Sequence, residues 1–327
     1  MQGLRWREEF SPAAGTFINF DLDHDQLDGS VKFNRVAPAP SASFEAPRFS
    51  SHSVFLGARQ EWIVDKDWTA APAIGVRFNQ HNQFDSITTP SLGFKLQSEN
   101  AQWFIQSSRG INYPGLETTV LSSLIAPLGT SWQKLKAETL NHLEFGGKFQ
   151  LNKDHQLDFS LFKDKVSNRY VFGFPPDVPP PPQFLNLGSY ENRGLELAIR
   201  SQLNQDWSLF TGLTILNPSI EHLPYTPKHA YTLGLNGKID QFRLSFDMQS
   251  QSEVWALNRP RAAGAVNQDK VNGFNVANLR IAYPVPSLGK RGEVFVAIEN
   301  LFDRDYAYRP GYPMVGRSAQ LGVAVSF

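Results

Sequence analysis

The sequence predicts an all-β chain, the wall of an antiparallel up-and-down transmembrane β-barrel with about 14–16 strands, counting roughly ten residues per strand. Three observations lead there. Apolar and polar residues alternate with period two along most of the chain, as in strands with one apolar face. Short polar connections alternate with long irregular ones. The face opposite the apolar one carries Asp, Glu, Lys, Arg and Gln on almost every strand. A barrel this wide is not filled by apolar side chains, so the consistent arrangement is lipid outside and water inside. A soluble β-sandwich, the competing architecture, gives no reason for connection lengths to segregate.

The strands follow in chain order. Ile18, Phe20 and Leu22 oppose Asn19, Asp21, Asp23 and Asp25. Leu143, Phe145, Gly147, Phe149 and Leu151 oppose Glu144, Gly146, Lys148 and Gln150, and Leu157, Phe159 and Leu161 oppose Asp158 and Ser160. Leu195, Leu197 and Ile199 oppose Glu196, Ala198 and Arg200. Trp207, Leu209, Leu213 and Ile215 continue the pattern, then Tyr231, Leu233 and Leu235, then Phe242, Leu244, Phe246 and Met248, then Val294, Val296 and Ile298. The last strand alternates Leu321, Val323, Val325 and Phe327 against Gln320, Gly322, Ala324 and Ser326. Trp6, Trp62, Trp68, Trp103 and Tyr283 are expected near strand ends, where aromatic side chains suit a membrane interface.

The short connections are 98–100, 152–155, 203–206 and 237–240, and the long ones are 34–50, 110–137, 172–187, 250–272 and 302–314. A membrane barrel has short turns on one rim and long loops on the other. The Pro-rich stretch at 172–184 is expected to stay out of the sheet as an exposed polyproline segment.

Composition narrows the function. Lys and Arg number 31, and so do Asp and Glu, so there is no cationic excess for nucleic acid. Cysteine is absent, which excludes disulfides, thiolate metal sites and Cys nucleophiles. The opening MQGLRWREEF has neither the apolar stretch nor the cleavage site of a signal peptide, and none is expected. No apolar run approaches the roughly 18 residues of a spanning helix, a test that a β-barrel also passes.

Few motifs carry chemistry. The run DLDHDQLDGS at 21–30 has the rhythm of a calcium loop, but Gln26 stands where Gly is needed and Lys32 where Glu is needed. Asp21, Asp23 and Asp25 remain a weak metal candidate against a plainly solvated inner face. The seven His residues are scattered without zinc spacing. There is no Gly-x-Ser-x-Gly elbow and no phosphate-binding glycine loop. No enzyme and no cofactor are expected.

Five segments carry a family resemblance. The end NLFDRDYAYRPGYPMVGRSAQLGVAVSF closely resembles the C-terminus of TonB-dependent outer-membrane receptors, through Asn300 to Asp303, Tyr306, Tyr312, Pro313, Gly316, Arg317 and Phe327. LKAETLNHLEFGGKF at 135–149 resembles the family's Leu-Lys-Pro-Glu-Thr strand start, with Ala137 in place of Pro. NRGLELAIRSQL at 192–203 is similar to its Arg-Gly-Leu-Glu strand, LPYTPKHAYTLGL at 223–235 to its Pro-x-x-Pro-Lys-His segment, and SSRGINYPGLE at 107–117 to its Arg-Gly-Tyr-Pro loop region. The segments keep the family's order from about residue 100 to the end.

The resemblance implies a partial barrel, residues 1–327 as one domain, with short periplasmic turns and long extracellular loops in a Gram-negative-type outer membrane. The family barrel has about 22 strands, and this chain resembles its C-terminal two-thirds. The plug domain, TonB box and signal peptide of the family are not in the sequence, so TonB is an expected partner only if a plug and box come from elsewhere. Outer-membrane lipid and the outer-membrane assembly machinery are the other expected partners, the latter reading Phe327 as an assembly signal. The resemblance implies transport of a scarce, bulky nutrient such as a ferric siderophore or a corrinoid. A passive porin-like channel and a non-transporting structural or adhesive barrel are the alternatives. Ligand contacts are expected in the long loops at Tyr113, Trp132, Tyr170, Trp255, Tyr306, Tyr308 and Arg309, against the alternative that these side chains pack the loops themselves.

Overall fold

In a computed structural model of the chain the described residues are 2–34, 42–173, 180–186, 188–221, 223–256, 270–290 and 292–325. Phe327 and residues 174–179 of the Pro-rich stretch lie outside them. One sheet dominates. Its first strands are β1 (Gln2–Ala13), β2 (Thr16–Phe33), β3 (Ala42–Gln60), β4 (Trp68–His81), β5 (Ile87–Gln97), β6 (Ala101–Asn112), β7 (Glu138–Asn152) and β8 (His155–Ser167). It continues through β9 (Tyr190–Gln202), β10 (Ser208–Pro218), β11 (His229–Ile239), β12 (Phe242–Gln251), β13 (Phe274–Pro284), β14 (Glu293–Glu299) and β15 (Ser318–Ala324). Each pairs with its predecessor in chain order, and the short strand Trp62–Asp65 pairs with β4 to make sixteen. The up-and-down order and the expected strand number are both present. β1 and β15 end the path and are not paired with each other among the described residues.

The alternation sets which face is which. Cross-strand partners share a face, so Leu197 stands in one apolar row with Phe159 and Leu213. A curved sheet shelters its concave side. Asp21 and Asp23, on the polar face, have side chains only 15% exposed. Leu56, Ile74 and Leu92, on the apolar face, are 54, 61 and 58% exposed. The polar face is therefore the inner one, and a continuous apolar surface faces outward, which a soluble protein rarely tolerates at this extent. Trp103 packs on this outer face against Phe145, Phe149 and Phe159 at centroid distances of 4.8–5.9 Å, stacked on the first and edge-on to the other two, just beyond the short turn at 98–100. Trp62 and Tyr283 are exposed beside other short connections. Trp6 differs from expectation: it lies mid-strand opposite Leu22 and packs edge-on against Phe20 at 5.8 Å.

Inner-face aromatics lie flat along the wall where glycines leave room. A Cβ on Gly57 or Gly75 would come within 2.7 Å of the Phe55 ring, so the ring occupies the space that two side chains would fill. The Arg77 guanidinium sits 5.1 Å from that ring centre.

All connections alternate between the two rims, as expected. The long ones are more structured than their irregular sequences imply. Segment 34–50 is largely strand, because β3 already begins at Ala42. Pro47 is accommodated there because the β2–β3 register shifts between Leu27–Phe49 and Gly29–Ala46, and a bulge spares the missing N–H. Segment 110–137 holds helix α1 (Glu117–Leu124) and two 3₁₀ turns. Around the Pro-rich stretch, Tyr170–Gly173 and Gln183–Asn186 pair as a hairpin. None of the described helices is long and apolar enough to cross a membrane.

Candidate ligand-binding mouth

The long-loop rim carries two packed clusters, both rooted on the inner face. The first gathers Phe49, Phe84, Leu128, Trp132, Leu135 and Phe184 into a small buried core. Phe49 belongs to the inner face of β3, in line with Ser51, Ser53 and Phe55, so the 113–137 loop folds inward over the lumen wall. Its ring meets Phe84 edge-on at 5.7 Å and Trp132 at 5.7 Å. Tyr113 packs against His81 at 4.8 Å, and its hydroxyl donates to the Asp85 carbonyl at 3.1 Å. Thr118 and Thr119 are buried and return their hydroxyls to the Gly115 and Leu116 carbonyls. The 170–186 hairpin is fastened to this loop. The Tyr170 hydroxyl donates to Glu117 Oε1 at 2.9 Å, and the Asn186 side chain exchanges hydrogen bonds with the Lys136 backbone. Burial first, and Glu117 second, push the Tyr170 phenol up to about 12. Burial and the Asp85 carboxylate also raise Tyr113.

The second cluster surrounds Phe274, which is 5% exposed at the start of β13. Tyr306 and Tyr308 pack on it at 4.8 and 5.2 Å. The Tyr308 hydroxyl donates to Gln249 Oε1 at 3.2 Å, on the inner face of β12. The 301–317 loop is held by the Asn-Leu-Phe-Asp turn. Asn300 and Asp303 both take left-handed backbone, with φ near 51° and 52°, a region that Asn and Asp tolerate. The buried Asn300 amide donates to the Arg304 and Val315 carbonyls and accepts from the Arg304 N–H, while Asp303 accepts from the Arg317 N–H. Trp255 lies alongside: its carbonyl accepts from the Tyr225 N–H, and the Lys270 ammonium sits 4.5 Å from its ring centre. The Arg309 guanidinium is 6.0 Å from the Tyr225 ring.

The sequence-chosen residues therefore divide. Tyr113, Trp132 and Tyr170 join one cluster, and Trp132, 7% exposed, is part of its core. Tyr306, Tyr308, Arg309 and Trp255 gather in the other. Tyr308 and Tyr225 remain 40 and 44% exposed. Tyr225, Phe274 and Lys270 were not anticipated. Tyr225 stands inside the Pro-x-x-Pro-Lys-His segment, and that position was the available signal.

Below the mouth the inner wall is a ladder of paired charges. Arg77 bridges Asp21 at 2.9 Å and Asp23 at 2.5 Å, and Ser53 donates to Asp23 at 3.2 Å. Two of the three candidate metal carboxylates are thus occupied by a guanidinium, and no group of three potential ligands is placed to hold a metal among the described residues. Glu144 accepts from Gln106 and Ser160 and faces His142, which in turn meets Asp164 at 2.6 Å. Arg200 pairs with Asp158 at 2.6 Å. Such a wall is hydrophilic, and many of its charges are paired.

Comparison with known proteins follows the same lines. Residues 3–301 match the family model described as TonB dependent receptor-like, beta-barrel. The catecholate siderophore receptor Fiu of Escherichia coli (strain K12) is 21% identical over 240 residues, covering 66% of this chain and 30% of that protein. The chain thus spans about a third of the curated relatives it matches. Among solved structures, the copper transporter OprC superposes with a TM-score of 0.74 at 15% identity, over 99% of this chain and 56% of that one. The FrpB iron transporter from Neisseria meningitidis gives 0.71 at 13% identity, over 98% and 54%. At these identities the superpositions establish the fold.

Proposed function

Because the chain belongs to the TonB-dependent receptor β-barrel family, we propose that it supplies the wall and ligand-contacting loops of an outer-membrane receptor for a scarce, bulky nutrient, a ferric siderophore of the catecholate class. The observation that carries this reading is the second loop cluster, which offers phenol and guanidinium groups above a hydrophilic inner wall. A ferric catecholate complex is anionic and aromatic. Arg309 with Tyr225 and Tyr308 offers the cation, donors and ring faces that recognise such a ligand. The receptor Fiu, by its name, handles catecholate siderophores, and its likeness to this chain supports the ligand class. Energised release would need TonB acting through a plug and box joined to this wall. Phe327 remains our proposed signal to the assembly machinery.

The test is direct binding. The chain, folded in detergent, is titrated with a ferric tris-catecholate complex while tryptophan fluorescence is followed. Saturable quenching is expected, weakened about tenfold or more by Arg309→Gln with Tyr308→Ala, since a charge-assisted contact and a ring face are both lost. Non-saturable quenching, or equal binding by the variant, rejects the ligand assignment. Continuous ion conductance without any binding would favour the passive-channel alternative.

A further inference from the structure

Four cations gather on the outer face where β6 to β9 approach the long-loop rim. Hydrogen-bonded register places Arg109, Asn141, Lys165 and Glu191 in one row. The next row toward the short turns holds Ser107, Leu143, Lys163 and Arg193. Below that the face is apolar, with Ile105, Phe145, Leu161 and Leu195. Glu191 takes Lys163 at 2.9 Å and Arg193 at 3.1 Å. Arg109 and Lys165 carry no ion pair among the described residues, and both are exposed. Four cations against one carboxylate leave a net charge of +3. On the inner wall many charges are paired, as in Arg77 with Asp21 and Asp23 and Arg280 with Glu293, whereas this outer-face group keeps an excess of one sign.

A second feature lies just beneath. An apolar groove of about 630 Å³ crosses the outer face, lined by Ala58, Pro72, Ile74, Leu92, Ile105 and Leu143. It exists because small or ring-closed residues (Ala58, Pro72) interrupt a row of large ones. Its upper end is Ser107, two residues below Arg109 on the same strand, and Leu143, directly opposite Lys163.

Cations at the top of an apolar groove, at the border of the lipid-facing surface, match one kind of partner. We propose that this patch binds an acylated lipid with a phosphate headgroup, the phosphate held between Arg109 and Lys165 and one acyl chain seated in the groove. The two side chains stand on strands two apart, about 10 Å between backbones, a span that a guanidinium and an ammonium close around one phosphate. A guanidinium offers the phosphate paired donors, and the lysine adds a point charge. Basic residues at a membrane surface gain most where anionic headgroups lie. The inference rests on the outward-facing, lipid-exposed reading of the apolar face and does not depend on the nutrient ligand.

The experiment uses the full chain in non-ionic detergent micelles, with phosphatidic acid as probe and native mass spectrometry as readout. Diacylglycerol of the same chains and inorganic phosphate are the comparison ligands. Wild type is expected to retain phosphatidic acid and neither comparison ligand. Arg109→Gln with Lys165→Gln is expected to lose about 30-fold in apparent affinity, two surface cations' worth. Ser107→Trp, which blocks the groove, is expected to weaken retention while leaving the cations in place. Lys148→Gln with Lys238→Gln, on the inner face, should change nothing. Equal retention of diacylglycerol, equal loss in the inner-face variant, or full competition by inorganic phosphate each overturns the proposal. Failure of Trp103 to be quenched by brominated lipid in vesicles would instead overturn the lipid-facing premise. Ferric-complex binding is read by Tyr308 and Arg309 and fails or succeeds separately.

Discussion

Asn300 shows how one residue organises a loop of the long-loop rim. Its left-handed backbone turns the chain, and its buried amide satisfies three backbone groups of the following loop. Alanine would keep the strained φ and orphan those groups. Asn300→Ala is expected to cost roughly 2–3 kcal/mol, from lost buried hydrogen bonds and left-handed strain, read as a lower unfolding midpoint and faster proteolysis of the 301–317 loop. Unchanged proteolysis would mean that the Phe274 cluster alone holds it. The two faces are tested at Leu197, which sits in the middle of the apolar stretch of β9 between Leu195 and Ile199. A cation near mid-bilayer on a barrel's lipid face costs about 2–4 kcal/mol, so Leu197→Arg should impair insertion into lipid vesicles by that order. Arg200→Ile should be milder, because Arg200 is a 54% exposed partner of Asp158 on the wet face. Equal or reversed effects would overturn the assigned register.

At the scale of elements, the strands were legible and the loops were not, for one physical reason. A strand declares itself by local alternation, and Leu195, Leu197 and Ile199 need no distant partner to be recognised. The loop cores are assembled from residues far apart in sequence: Phe49 comes from within β3 and Phe84 from the β4–β5 connection, yet they bury Trp132. Nothing near Trp132 announces that, so Trp132 reads as a free ligand contact when it is a core residue. Tyr308 and Arg309 stay near the surface, Tyr308 40% exposed, because their own short hairpin carries them, so they remain candidates. The first cluster also makes a pH prediction. A phenol whose folded pKa lies above its unfolded value stabilises the folded loop below the unfolded pKa, and that contribution is lost as pH climbs through the folded value. For Tyr170 the window runs from its ordinary value of 10 up to about 12, and Tyr113 shifts the same way. The 113–137 loop should therefore stay protected from protease to about pH 10 and loosen above it. Tyr170→Phe, which loses the Glu117 bond, should loosen the loop already at neutral pH and flatten the alkaline change. Tyrosinate absorbance rising as one ordinary transition near pH 10, with no delayed component, would contradict the burial of these phenols.

The whole molecule raises a question of edges. Sixteen strands form one curved sheet, and the path from β1 to β15 does not return on itself among the described residues. In hydrocarbon every unpaired backbone group costs several kcal/mol. The outer edges of β1, twelve residues long, and β15, seven residues long, would expose a row of such groups. No arrangement of side chains relieves that cost; only another strand does. The family barrel is wider, at about 22 strands, and this chain covers 56% of one solved relative and 54% of another, so the geometry of its wall is that of a larger circumference. A sheet curved for a larger circle brings its ends together only by bending more sharply throughout. The chain has no cysteine, which makes the test clean. Phe10→Cys on β1 and Val323→Cys on β15 place two thiols near the short-turn rim, and a disulfide requires their Cα atoms within about 7 Å. In purified chain folded in detergent, oxidation is expected to give disulfide-linked dimers and little intramolecular bond, because each free edge seeks a strand from another copy. Efficient intramolecular closure at high dilution would show that the 327 residues close a small barrel by themselves, and such a barrel should then conduct ions continuously in a planar bilayer.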